Sequence, residues 1–201
     1  MGHVKFQTTL ALGIMGPPVE LSLGECKRIV VMFRKANAKV VALWKMAEDI
    51  LTDMVRGQAG SYSVDGQVIL EWEDETVWLP NGMGLHYPEL RWNNGFSYLA
   101  NKKRKKIYGG LLVENIVQAL ARIIVSDQML DVAQYLKKFR LKKNEHAQVV
   151  LMTHDEIISV TPDRFADKTL THKLKAMRVR PKWAPGVPLD AEGGHAVRYE
   201  K

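Results

Sequence analysis

Cysteine is almost missing from this chain: Cys26 is the only one among 201 residues. An internal disulfide and a cluster of thiolate metal ligands are therefore excluded. Long apolar runs are missing too. None approaches the roughly 18 residues of a membrane span, and Met1-Gly2-His3-Val4-Lys5 opens no secretory signal, so the expectation is a cytoplasmic protein without a membrane. The six histidines form no His-Glu-x-x-His pair, and neither a Walker loop nor a Gly-x-Ser-x-Gly elbow is present. That removes zincins, P-loop nucleotidases and α/β-hydrolases from consideration. Repeats and low-complexity segments are absent. Acids are in deficit: 22 Asp and Glu against 29 Lys and Arg leave a formal charge of +7. That surplus favours a polyanionic partner, with a merely basic protein as the equal alternative.

What is present suffices for a real core. Hydrophobic residues make up 46% and charged residues 25%, and this length allows one large or two small domains. Residues 3–12 read as a helix stopping at Gly13, and Gly16-Pro17-Pro18 as a stiff extended link. Ser22-Leu23-Gly24-Glu25 fits a capping box. Behind it Ile29, Val30, Phe33 and Ala36 share one stripe with Cys26, and the expectation is that this stripe is core. Asn37 is expected to cap a second helix carrying Val40, Val41, Trp44, Ala47, Leu51 and Met54, which ends near Gly57. Residues 1–60 thus read as a helical region.

Residues 61–100 change character. Val64-Asp65-Gly66-Gln67 signals a hairpin ahead of Val68-Ile69-Leu70-Glu71-Trp72. Thr76-Val77-Trp78-Leu79, Leu85-His86-Tyr87 and Leu90-Arg91-Trp92 are short strand candidates separated by turns. Together they predict a β-rich insertion, with Trp72, Trp78 and Trp92 packing its core in preference to stacking on bases.

From residue 101 onward the chain is more basic. Lys102, Lys103, Arg104, Lys105 and Lys106 form the densest charge run, read either as a solvated loop or as a phosphate clamp ahead of a long helix. In that helix Glu114, Asn115, Gln118 and Arg122 recur at three- and four-residue steps, while Leu120, Ile123 and Ile124 turn to a core. Such a polar stripe is either a solvated face or a set of donors for minor-groove acceptors. A further helix is expected from about Asp131 to Leu141.

The most informative stretch is Val149-Val150-Leu151-Met152-Thr153-His154-Asp155-Glu156-Ile157-Ile158-Ser159-Val160. Two β-branched runs flank three polar residues, the pattern of strand, tight turn and strand. At such a bend Asp155 and Glu156 can crowd one edge, where a hard cation such as Mg²⁺ would relieve their repulsion. An ordinary solvated turn is the competing reading.

This stretch resembles motif C of family A DNA polymerases. Tyr108-Gly109-Gly110 through Arg122 resembles the helix those enzymes place before motif C. Trp183-Ala184-Pro185-Gly186 through Gly193 resembles the tail of the phage branch, and Met1 to Ala11 resembles the segment after motif B. The likeness runs in order along almost the whole chain. It departs at Ile123, where many related phage sequences carry an acid.

The resemblance implies an α+β fold with a palm-type antiparallel sheet and packed helices. It makes 1–60 a helical fingers remnant, 61–100 a β-rich insertion, and 101–201 a palm portion with motif C and the C-terminal tail. It implies a C-terminal subunit or fragment of a DNA-directed DNA polymerase in a phage-infected or prophage-carrying bacterium. Asp155 and Glu156 would be metal ligands, and His154 would help position the primer end. Asn115, Gln118, Arg122 and the basic run would touch primer-template DNA, with deoxynucleoside triphosphates as substrates. The family uses two Mg²⁺ ions, and one more carboxylate must come from motif A. No such block occurs: Tyr62-Ser63-Val64-Asp65 has the wrong order. Motif B is missing as well, since Arg164 and Lys168 have its first spacing but Ala176-Met177 stand at its Tyr-Gly positions. A partner chain carrying motifs A and B is therefore expected. The alternative is a non-catalytic DNA-binding or assembly module.

Overall fold

The structure is a computed structural model that describes residues 2–199. In chain order its helices and strands are α1 (His3–Ala11), α2 (Leu23–Ala36), α3 (Ala38–Val55), β1 (Gly60–Val64), β2 (Gln67–Glu73), β3 (Thr76–Trp78), β4 (Gly84–His86), β5 (Arg91–Trp92), β6 (Phe96–Ala100), β7 (Lys103–Lys106), α4 (Gly109–Leu136), β8 (Gln148–Thr153), β9 (Glu156–Val160) and α5 (Ala166–Met177). Every strand pair is antiparallel. The expected mixture of antiparallel sheets and packed helices is therefore present.

These elements fall into two compact units. One holds the chain up to Gln58 together with Tyr87–Val113, and the other holds Ala59–His86 together with the chain from Glu114 onward. The β-rich stretch is accordingly two sheets rather than one insertion: β1-β2-β3-β4 in the second unit and β5-β6-β7 in the first.

In the first unit, α2 starts where the sequence says it should. Ser22 Oγ accepts from the Glu25 amide, and Glu25 accepts from the Ser22 amide at 2.9 Å, closing the box from both sides. The Ser22 hydroxyl, which donates to Glu25 Oε2 at 2.7 Å, and after it the Ser22 amide hold the Glu25 carboxyl below its ordinary range. Asn37 behaves differently from expectation. Its side chain makes no cap bond to α3 and donates backward to Phe33 O at 2.9 Å, closing α2 instead. Cys26, Ala47, Leu51 and Met54 are buried as their spacing predicts, and Ile50 joins them, whereas Val40, expected in the α3 stripe, is exposed. The α2 stripe is a correction. Phe33 is 53% exposed, and Ile29, Met32 and Ala36 are exposed as well, so only its Cys26 edge is core.

In the second unit, Asp65 and Gly66 both have positive φ (49° and 79°), the left-handed pair that a two-residue hairpin turn demands. Leu70, Val77 and Leu79 are buried. Trp72 lies over Gly60, where a Cβ would meet its ring at 2.4 Å, so a bare backbone is required there. Trp78 is exposed in this sheet, as is Trp92 in the first unit, contrary to the expectation that both pack cores.

The two helices expected over 109–141 are one. No glycine or proline interrupts Leu111–Leu136, and α4 continues for 28 residues. It is the one described helix long and apolar enough to cross a membrane by length and composition. Within the fold, however, its Val132 and Leu136 form a core with Ala176 of α5, against which Tyr135, Phe139, Ala147 and Val149 pack. Gln128, also buried, donates to Met177 O at 2.8 Å and satisfies a carbonyl left over at the end of α5.

Candidate functional site

The hairpin β8–β9 is built on that core. Val149 and Ala147 attach its base to α4 and α5, and a register shift between Val149 and Leu151 bends β8. A second clasp closes the base from outside. The Arg164 guanidinium forks onto both carboxylate oxygens of Glu145, which also accepts from the Lys142 amide at 2.7 Å. Phe165 stacks on Phe139 with centroids 4.3 Å apart. The Arg164 hydrogen bonds, with the Lys142 amide next, bring the Glu145 carboxyl down from its ordinary 4.5 to about 2.

From this base the strands run about 16 Å to the tip. Thr153 pairs with Glu156, leaving His154 and Asp155 as a two-residue turn. His154 has φ 51°, a left-handed conformation that a non-glycine residue holds only when its surroundings insist. His154 and Asp155 are exposed, and Glu156, the first residue of β9, is half-buried. The turn thus brings an imidazole and two carboxylates onto three successive residues at the tip of the hairpin.

Two residues that sequence reasoning missed converge on Glu156. Tyr199, near the end of the chain, donates its phenol to the Glu156 carboxylate, with Oε2 at 3.3 Å and Oε1 at 3.5 Å. Lys173 of α5 is pushed below the ordinary lysine range by burial, while the negative charge of Glu156 acts in the opposite direction. No sequence signal marked either residue, because both reach the hairpin through tertiary packing.

Oxygen ligands of this kind suit Mg²⁺. The set is nevertheless short: among the described residues no group of three or more His, Cys, Asp or Glu side chains could hold a metal ion. Asp155 and Glu156 alone do not complete a site.

The expected nucleic-acid contacts lie in both units. Asn115, Gln118 and Arg122 occupy α4 in the second unit. Asn115 is half-buried and the other two are exposed, with Gln118 donating to Glu114 at 3.3 Å. Ile123, the departure from the phage pattern, is buried. The basic run lies in the first unit and is neither a loop nor a uniform clamp. Asn101 and Lys102 form a turn with φ 51° and 61°, and Lys103–Lys106 pair with β6 as an edge strand. A strand alternates its side chains, so Lys103 and Lys105 share one face and Arg104 and Lys106 the other. Arg104 is engaged: it pairs with the Glu89 carboxylate and donates to Glu89 O at 2.6 Å. An arginine so held acts as a structural tie within the first unit.

No family model and no solved structure matches the chain. One curated protein does: the DNA polymerase of Bacillus phage SP02 is 31% identical over 197 aligned residues. That similarity ties the chain to a phage DNA polymerase. The aligned region takes in 90% of this chain but only 28% of the polymerase, so the chain spans little more than a quarter of that relative.

Proposed function

We propose that this chain supplies the motif C portion of a family A-type DNA polymerase. Asp155 and Glu156 would hold divalent metal for template-directed nucleotidyl transfer, and His154 would position the primer end. The observation that carries this reading is His-Asp-Glu at the exposed tip of a braced hairpin, in a chain similar along nine-tenths of its length to a phage polymerase. Bound Mg²⁺ would supply charge neutralisation at the transferring phosphate. The chain's own part is to present the two carboxylates rigidly. In this reading β8–β9 belongs to a palm sheet and α1–α3 to the fingers. Primer-template DNA and deoxynucleoside triphosphates are the substrates. Asn115, Gln118 and Arg122, with Lys102, Lys103, Lys105 and Lys106, are the candidate DNA contacts.

The reading requires one more carboxylate from outside these residues, on a partner chain or elsewhere in one polypeptide. Two features fit a missing neighbour. Beyond their mutual pairing, the hairpin strands leave Val150, Leu151 and Val160 about half exposed, and the α2 strip Ile29-Met32-Phe33 is also uncovered. Unsatisfied apolar surface of this kind marks contact with further protein.

Primer extension by this chain, by a chain carrying the motif A and B portion, and by the pair tests the proposal. Extension should need the pair and Mg²⁺, and Asp155→Asn should abolish it while DNA affinity holds. Extension by the pair that survives Asp155→Asn removes Asp155 from the chemistry. A pair that binds DNA without extending it favours the second reading, a non-catalytic DNA-binding or assembly module.

A further inference from the structure

The last twenty residues contain no helix or strand among those described, yet they are fixed to the second unit at successive points. Just after α5, Arg178 Nε donates to Asp190 Oδ1 at 2.7 Å, and Arg178 Nη2 donates to Ala191 O at 2.6 Å. This guanidinium is the main reason the Asp190 carboxyl lies below its ordinary range. At Gly193 a Cβ would stand 3.7 Å from Leu170 Cδ1 and 3.9 Å from Leu174 Cδ2, so the backbone passes directly over α5. His195 Nε2 then meets Asp167 Oδ1, in the first turn of α5, at 2.9 Å. Four residues later Tyr199 reaches Glu156. The segment therefore runs back along α5 from its C-terminal end to its N-terminal end, pinned at both, and finishes on the hairpin carboxylate.

We infer that this C-terminal segment is a strap whose task is to deliver the Tyr199 phenol to Glu156, making Tyr199 a positioning residue for the carboxylate pair. This rests on reading Asp155 and Glu156 as metal-binding groups. Asp155 is the second residue of the turn, directly after the left-handed His154. Glu156, at the start of β9, has a flexible side chain of three torsions. A phenol donating between its two oxygens restrains that side chain while leaving the remaining lone pairs for a cation. Tyr199 donates without adding charge.

The test uses the full chain, labelled with ¹³C at side-chain carboxyls, in wild type, Tyr199→Phe and His195→Ala. Without metal, both substitutions should shift the Glu156 carboxyl resonance and leave that of Asp155 in place. On titration with Mn²⁺, both should raise the concentration that half-broadens the Glu156 signal by about two- to tenfold, the effect of one hydrogen bond. An unmoved Glu156 resonance in Tyr199→Phe overturns the inference. So does tighter Mn²⁺ binding in that variant, which would make the phenol a plug. A shift in Tyr199→Phe with none in His195→Ala overturns the strap as the holding device. Amide spectra of α5 confirm the fold of each variant. If Mn²⁺ broadens neither carboxyl in wild type, the metal reading fails, and the metal-free shifts still report on the strap independently.

Discussion

Gly109→Ala is the substitution whose cost the structure states most directly. A Cβ at Gly109 would lie 2.0 Å from Trp44 O and 3.0 Å from Glu48 N, both backbone atoms of α3. An ordinary carbon–oxygen contact begins near 3.4 Å, so α3 and the start of α4 must part by 3.4 − 2.0 = 1.4 Å along that line. A side chain could rotate away, but a helix carbonyl cannot. Overpacking typically costs about 1–3 kcal/mol, and a backbone-to-backbone clash belongs at the upper end of that range. Alanine returns up to about 1 kcal/mol of helix propensity. The net loss of about 2 kcal/mol corresponds to a fall of about 4–8 °C in Tm for a chain of this size. Gly110→Ala is the control. Its nearest neighbour is a ring carbon of Tyr108 at 3.1 Å, and that ring is exposed and free to swing, so the control should melt at or slightly above wild type. Thermal unfolding followed by circular dichroism reads both. A Gly109→Ala protein as stable as the control would refute the close approach of α3 and α4.

Three further outcomes follow from single observations. Glu145 has a folded-state pKa of about 2 against an ordinary 4.5, so its pairing with Arg164 stabilises the fold above about pH 4.5 and is lost as pH falls towards 2. The gap in urea midpoint between wild type and Arg164→Gln should therefore be larger at about pH 6 than at about pH 2, and a pH-independent gap would show that the pair is not what Arg164 contributes. Lys103→Gln and Lys105→Gln should each reduce the log–log salt slope of DNA binding by about 0.7–0.9; Arg104→Gln should leave the slope alone and lower the melting temperature, and the reverse pattern would undo the division of the strand. Left uncovered, the α2 strip should drive the lone chain to self-associate in sedimentation velocity, and Ile29→Ser, Met32→Ser and Phe33→Ser together should abolish this at nearly unchanged Tm, whereas a large loss of Tm would place the strip in the core after all.

How much of this was legible follows the range of the forces involved. Ser22 and Glu25, the Asp65-Gly66 turn, Gly57 and the His-Asp-Glu bend act over four residues or fewer, and each is where the sequence puts it. Errors arose where a local signal had a tertiary competitor. Asp131 reads as the start of a new helix, yet α4 runs through it, and its carboxylate lies 3.1 Å from His172 Nε2, an ion-pair contact not aligned as a hydrogen bond. Five successive cations read as a solvated loop or a phosphate clamp, not as a strand, because lysine disfavours strands. The ladder to β6 and the left-handed Asn101-Lys102 turn outweigh that preference. The α2 stripe was placed in a core because periodicity reports an apolar face without reporting what faces it. Trp78 and Trp92 failed for the same reason.

The candidate site separates along the same line. A turn is local, so the sequence located Asp155 and Glu156. What restrains them is not local: Ala176 lies 27 residues from Val149, and Tyr199 lies 43 from Glu156. A two-stranded hairpin alone is at best marginally stable in water, and its tip would wander. Here the helical core and the Glu145–Arg164 fork fix the base, while Tyr199 reaches Glu156 from 43 residues further along the chain. Each support can be removed without touching the carboxylates. Loss of the base fork should loosen both resonances together, whereas loss of Tyr199 should loosen Glu156 alone. That difference separates a hairpin merely held in place from one whose second carboxylate is individually aimed.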